Sequence, residues 1–206
     1  MIAVVDYGMG NRRSVEKALE HVGGRAVITR DHAEIRHADG IVVPGVGAFP
    51  EAMRNLAALG LDDLLRERAG AGVPLLGICL GMQLLFEASA EHDGARGLGL
   101  LGGAVTYLDT QGGRLPHIGW SLVTLVRPAR LTAGLPDAAF YHVHSLVCRP
   151  SDELDVAGTA TYGEAFASIV ERGNVFGVQF HPEKSSRDGL ALLRNFAAIC
   201  AQVPAA

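Results

Sequence analysis

The stretch Val73-Pro74-Leu75-Leu76-Gly77-Ile78-Cys79-Leu80-Gly81-Met82-Gln83 decides the fold. The apolar run opened by Pro74 has the composition of a buried strand, and Leu80 to Ser89 has the spacing of a helix. Cys79 falls at the joint, with Gly77 and Gly81 two residues away on either side. This is the G-x-nucleophile-x-G pattern of a strand-to-helix elbow, with sulfur in place of a serine oxygen. In so tight a turn only glycine at the flanking positions avoids a collision of Cβ atoms. The elbow lifts the central side chain clear of the sheet at the amino end of a helix. There the dipole and the unpaired N–H groups favour a thiolate and leave donors for an oxyanion. A lone cysteine is more often a buried small apolar side chain, so a base elsewhere in the chain has to decide between the two readings.

Strands and helices alternate around the elbow. Ile2 to Tyr7, Arg25 to Thr29 and Ile41 to Val43 read as strands. Ser14 to Val22, Ala33 to Ala38, Phe49 to Leu59 and Leu61 to Ala69 read as helices. Such alternation makes a parallel sheet covered on both faces. From Leu100 onward the texture changes to strands separated by Gly, Pro and Asp turns: Ala104 to Leu108, Ser121 to Leu125, Ala139 to Val147, Val156 to Thr161, Ala167 to Glu171 and Val175 to Gln179. Arg172-Gly173-Asn174 is a hairpin turn between the last two. A helix from Ser186 to Cys200 follows, and Val203 to Ala206 reads as a frayed tail. The expected fold is α/β: one domain over 1–206, a three-layer open sheet, mostly parallel and flavodoxin-like, with an added antiparallel strand region in the C-terminal half.

Composition narrows the function. With 49% hydrophobic and 19% charged residues the chain forms a core and is not disordered. A net charge of -4 and the lack of a Lys/Arg run argue against nucleic acid. The apolar start is too short for a signal peptide, and no stretch has the length of a membrane span. Three cysteines, Cys79, Cys148 and Cys200, at irregular spacing suit a reducing compartment. The expectation is a cytoplasmic protein without membrane or nucleic-acid partners.

A base is found at Phe180-His181-Pro182-Glu183. His181 and Glu183, one residue apart, would point the same way on extended chain, and Pro182 stiffens and ends the strand. A carboxylate beside an imidazole fixes its tautomer and stabilises the imidazolium, so a cysteine within reach completes a Cys-His-Glu relay. Cys79 and His181 each follow a strand, at the carboxyl ends where open α/β sheets place their sites. Pro44-Gly45-Val46-Gly47 also follows a strand, and its backbone N–H together with that of Leu80 can form an oxyanion hole. Other patterns carry less. Gly97-Leu98-Gly99-Leu100-Leu101-Gly102 matches G-x-G-x-x-G but leads into a strand, and Gly8-Met9-Gly10 has Arg13 where the third glycine belongs. His142, His144 and Cys148 lack the second close pair of a metal site, so neither metal nor cofactor is expected.

With Gly77 to Gln83 and His181-Pro182-Glu183 in hand, the chain resembles the class I (triad) glutamine amidotransferases. The finer resemblance, across the whole chain, is to the glutaminase subunits of imidazole glycerol phosphate synthase, in histidine biosynthesis. It is carried by Asp6-Tyr7-Gly8-Met9-Gly10-Asn11, by Pro44-Gly45-Val46-Gly47-Ala48-Phe49 and by His181-Pro182-Glu183-Lys184-Ser185-Ser186. Pro116-His117-Ile118-Gly119-Trp120 and Gly97-Leu98-Gly99-Leu100 look like family segments as well.

The resemblance implies that Cys79 is the nucleophile, His181 the general base and acid, and Glu183 its orienting partner. Val46 and Leu80 would supply oxyanion N–H groups, and Gln83, with backbone at Gly47, would hold glutamine. Asn11, Trp120 and Lys184 match positions that face a partner, a (β/α)8-barrel cyclase subunit that receives the ammonia in a heterodimer. Two segments depart from the family pattern: Tyr-Phe-Val-His-Ser-Tyr reads Tyr141-His142-Val143-His144-Ser145-Leu146, and the Asn after Gly-Trp is Ser121. Two other readings stay open, a triad glutaminase serving a different synthase and a non-catalytic thiol sensor on the same fold.

Overall fold

The computed structural model describes residues 1–202, and the tail expected from Val203 lies outside them. The chain runs β1 (Ile2–Val5), α1 (Arg12–His21), β2 (Ala26–Thr29), α2 (His32–Arg36), β3 (Gly40–Gly45), α3 (Phe49–Ala58), α4 (Leu61–Gly70) and β4 (Leu75–Cys79). After the elbow come α5 (Leu80–Leu84), β5 (Phe86–Ser89), β6 (Ala95–Arg96), β7 (Leu101–Tyr107), β8 (His117–Leu125), β9 (Ala138–His144) and β10 (Leu146–Pro150). The last elements are β11 (Val156–Tyr162), β12 (Glu164–Arg172), β13 (Val175–Val178) and α6 (Ser186–Cys200).

The strands β2-β1-β3-β4-β13 lie side by side and parallel, the flavodoxin-like order that the alternating pattern asked for. All residues of β1, β3, β4 and β13 are buried, because helices cover both faces. Alternation divides the apolar side chains between two cores. Ala3, Val5, Ile41 and Val43 pack with Phe49, Leu56, Leu61 and Leu65 of α3 and α4. Ile2, Val4, Leu76 and Ile78 pack with Leu19 of α1 and Leu192, Leu193 and Phe196 of α6. Beyond β13 the sheet turns antiparallel: β13 returns along β12 after Gly173–Asn174, and β10, β7, β5 and β6 continue the sheet, with β5 parallel to β7. A branch from β12 runs through β11 to the β8–β9 pair. No helix of the described residues is long and apolar enough to cross a membrane.

Two elements differ from the sequence reading. Leu80 to Ser89 is not one helix, since α5 has 5 residues and Phe86 begins a strand. The carbonyls that would carry the helix onward are taken: Leu84 accepts from Leu98, Leu85 from Leu100 and Leu101, and Phe86 from Gly99. Long-range backbone pairing thus overrides a helical spacing of apolar residues. Ala139 to Val147 likewise divides at Ser145 into β9 and β10, which join different neighbours.

Candidate active site

Cys79 ends β4 and opens α5 with φ 55° and ψ −113°. That backbone is rare for a residue with a Cβ and holds about 1–3 kcal/mol of strain, retained only where the surroundings impose it. Here backbone contact on both sides imposes it. A Cβ on Gly77 would lie 2.6 Å from the Met82 nitrogen and overlap the Gly81 carbonyl, and a Cβ on Gly81 would overlap the Val43 carbonyl oxygen. Because α5 is so short, its contribution to the site is the free N–H groups of its first turn, Leu80 among them, more than a long-helix dipole.

Strand register brings the other segments to Cys79. Gly45 pairs with Cys79 across β3–β4, so Val46 and Gly47 continue along one side of the sulfur. Val178 pairs with Ile78 across β13–β4, so the chain through Gln179 and His181 passes on the other side. The buried hydroxyl of Tyr7 donates to the Pro44 carbonyl at 2.7 Å, pinning the start of the glycine loop. Burial, and secondly the charge of Cys79, push the Tyr7 phenol far up, so it remains a donor.

His181 is held by its backbone N–H to the Tyr141 carbonyl at 2.9 Å and by Ser185 Oγ, which donates to the His181 carbonyl at 2.7 Å. The extended geometry expected for His-Pro-Glu is replaced by a tight turn over Pro182–Lys184, which folds Glu183 back to the ring. His181 Nδ1 lies 3.0 Å from Glu183 Oε1, so Nδ1 carries a proton to the carboxylate and Nε2 is the nitrogen free to act. Burial alone would lower the His181 pKa; the Cys79 sulfur and the Glu183 carboxylate beside the ring outweigh it and raise the ring to about 10. Glu183 Oε2 is buried without a hydrogen-bond partner among the described residues, which leaves the imidazolium to offset the carboxylate charge. The thiol itself points at the Val143 carbonyl, 3.7 Å away, and a nucleophile–base hydrogen bond often aligns only once substrate is seated.

These groups line a cleft of about 290 Å³ with Val46, Gly47, Cys79, Leu80, Gln83, His181 and Lys184 on its walls. Asn11 and Trp120 lie outside it. Glu91 lines it too, its Oε2 accepting from the Phe49 N–H at 2.6 Å. No feature of the polar loop around Glu91 marked it in the sequence. Glu91 and Lys184 have no ion-pair partner among the described residues, so the cleft offers one anion and one cation to a ligand carrying both charges. The other two cysteines are elsewhere: burial pushes the Cys200 thiol up to about 12 and raises the Cys148 thiol well above its ordinary value.

Behind the cleft, β8 and β9 bring together three buried histidines, His117, His142 and His144. His144 Nδ1 faces the Leu146 carbonyl at 2.9 Å and must donate, which leaves its Nε2 to accept from His117 Nδ1 at 3.2 Å. His117 Nε2 then accepts from Ser121 Oγ at 3.0 Å. His142 likewise donates Nδ1–H to the Phe140 carbonyl at 3.0 Å and accepts from Ser168 Oγ at 2.9 Å. Ser121 and His142, two of the three departures from the family pattern, thus both serve this cluster, and the third, Leu146, meets it only through its backbone carbonyl. No group of three or more His, Cys, Asp or Glu side chains among the described residues is arranged to hold a metal ion.

Burial lowers all three rings, His142 to about 4 and His144 to about 3. An unfolded histidine takes its proton near pH 6.5, so between that pH and about 4 the unfolded chain binds more protons than the native one. The cluster's contribution to stability is therefore greatest above pH 6.5 and falls as the pH drops through this window. His181, raised, runs the other way: its contribution is complete below pH 6.5 and is lost progressively as the pH rises from there to about 10. From pH 7 to pH 5 thermal unfolding is expected to show a loss of about 2–4 kcal/mol. His142→Phe is expected to flatten that dependence, and equal midpoints at both pH values in the unaltered protein would contradict the neutral cluster.

The chain matches the family glutamine amidotransferase class-I over residues 3–200. It belongs to that family. Among curated relatives, the imidazole glycerol phosphate synthase subunit HisH of Moorella thermoacetica is 53% identical, over 95% of this chain and 93% of its own length. The HisH subunit of Bacillus cereus is 49% identical over the same shares. Identity at that level across nearly the whole of both chains places the protein with the HisH subunits. In fold alone it is similar to a glutamine amidotransferase crystal structure, with TM-score 0.77 at 23% identity over 98% of this chain and 100% of that one. It is also similar to PurLQS from Thermotoga maritima, with TM-score 0.75 at 22% identity over 95% and 96% of the two chains.

Proposed function

We propose that this chain is the glutaminase subunit of an imidazole glycerol phosphate synthase, acting in histidine biosynthesis. The observation that carries the chemistry is the placement of Cys79 between the glycine loop and an imidazole held by a buried carboxylate. Cys79 sulfur attacks the side-chain carboxamide of glutamine. His181 gives its Nε2 proton to the departing ammonia, and water, activated by the same nitrogen, releases glutamate from the thioester. Glu183 holds the ring and balances its charge. The N–H groups of Val46 and Leu80 are the oxyanion donors, and loss of one costs about 3–4 kcal/mol of barrier. Gln83 and the backbone at Gly47 hold the substrate, while Glu91 and Lys184 suit the charges of a free amino acid.

Ammonia released into water at neutral pH becomes ammonium, which is no nucleophile, so a synthase that uses it has to receive it within a complex. The partner is a cyclase subunit with a (β/α)8 barrel, which makes imidazole glycerol phosphate from the transferred ammonia. A surface fit for a partner supports this. Ile118, Trp120 and Leu122 stand in a row on the outer face of β8, each more than half exposed, with Val143, Tyr141 and Ala139 opposite them on β9. An apolar strip centred on a tryptophan is the usual core of an interface. Asn11 and Lys184 lie at the same carboxyl ends of the parallel strands as Cys79 and complete the proposed contact. Buried unpaired cysteines support a cytoplasmic setting. The test is glutamate release from glutamine by this chain alone and with a cyclase subunit. Release that accelerates in the complex is expected, and none under either condition would overturn the proposal.

A further inference from the structure

Gln179 follows β13, two residues before His181, and is completely buried. It faces a second buried amide, Gln83, and the orientation of both follows from their neighbours. The Leu146 carbonyl can only accept, and Gln83 Nε2 lies 3.3 Å from it, so that end of Gln83 is the NH₂ group. The same Nε2 reaches Gln179 at 3.2 Å, and the Gln179 atom it meets must therefore be the oxygen. The NH₂ of Gln179 is then left facing Cys79 Sγ at 3.9 Å. Its backbone is fixed by the Gln179 N–H to the Ser168 carbonyl at 2.9 Å, so the amide is presented from a rigid strand.

We propose that Gln179 is a positioning residue that donates a hydrogen bond to the Cys79 sulfur while holding Gln83 in its substrate-binding orientation. This deepens the reading of the cleft as a glutaminase site and rests on it. A thiolate has three kinds of neighbour here: the His181 ring, the first-turn N–H groups of α5, and the Gln179 amide. The amide is uncharged and donates whatever the state of His181, so it favours the anion before the imidazole has moved its proton. Through its oxygen it ties the sulfur's position to Gln83, and through Leu146 to the His144 and His117 chain. The alternative is an amide that merely satisfies Gln83 in a buried place.

The two roles separate in the variants Gln179→Leu and Gln179→Glu. Leu removes donor and acceptor; Glu keeps an acceptor for Gln83 with nearly the same shape but brings a carboxyl that either donates when protonated or adds charge when ionised, so Leu carries the test of the donor and Glu the test on KM. In the full chain, the alkylation rate of Cys79 by iodoacetamide is followed against pH, with the adduct mapped to that residue. In the complex with the cyclase subunit, kcat and KM for glutamine are measured. Gln179→Leu is expected to move the alkylation midpoint up by about one pH unit and to lower kcat roughly tenfold. Gln179→Glu is expected to change KM for glutamine less than about threefold. Should the Leu variant fail to fold, Gln179→Met, unbranched and without an N–H donor, takes its place. A midpoint unmoved in a folded Leu or Met variant, or a loss that falls wholly on KM, would overturn the proposal. Absence of glutamate release by the unaltered complex would overturn the glutaminase reading instead, and the alkylation midpoints would still decide the donor.

Discussion

Replacing Cys79 with alanine is expected to lower glutamate release from glutamine by at least roughly 10⁴-fold while leaving the fold and the partner contact in place. Among the described residues the sulfur is the only thiol on the cleft wall, and the proposed oxyanion donors and the imidazole cannot form an acyl intermediate without it. Structure should be little disturbed, because alanine meets the same positive φ that cysteine already tolerates and only one buried heavy atom is lost. Synthesis driven by added ammonia in the complex should therefore persist, since the proposed function puts the ammonia-using site in the other subunit. Glutamine hydrolysis retained in this variant would remove Cys79 from the mechanism.

Gly81→Ala should act on the fold itself. The new Cβ would overlap the Val43 carbonyl oxygen and lie 2.8 Å from its carbon, and both belong to the backbone of β3. A neighbouring side chain can rotate away, but β3 is held by β1 and β4 and cannot yield without breaking ladder bonds. The expected cost exceeds about 4 kcal/mol, a large part of the stability of a domain, and should appear as loss of soluble protein or a much lower unfolding midpoint. Gly70→Ala is the control. It lies in α4 with no heavy atom within 4 Å of an added Cβ, and a change within about 1 kcal/mol is expected there. A soluble Gly81→Ala protein with an unchanged midpoint would mean that the elbow is not in backbone contact with β3.

How much of this is legible in the chain depends on the range of the interactions. The elbow is local: two glycines bracket one residue, and the tight turn between a buried strand and the next element is the reason for them. His181 and Glu183 are also local, although the turn that joins them is not the extended geometry their spacing implied. The helix read from Leu80 to Ser89 failed because its carbonyls are claimed by N–H groups from Leu98 to Leu101, and nothing in Phe86 to Ser89 announces that pairing. Glu91, Tyr7 and Gln179 were missed for a related reason. Each is an ordinary residue of a loop or strand until register places it against the cleft. The histidine cluster needs His117 to pair with His144 across β8 and β9, a contact that only the tertiary fold makes.

The most direct test of the central claim is to treat the complex with a glutamine analogue bearing an electrophilic ketone in place of the carboxamide and to map the adduct by mass spectrometry. Three cysteines compete, Cys79, Cys148 and Cys200, all buried and all free. One adduct per chain, on Cys79, formed faster with the cyclase subunit present and blocked by glutamine, is the expected result. Label on Cys148 or Cys200, or label on Cys79 that glutamine does not protect, would contradict the assignment of this cleft to glutamine hydrolysis.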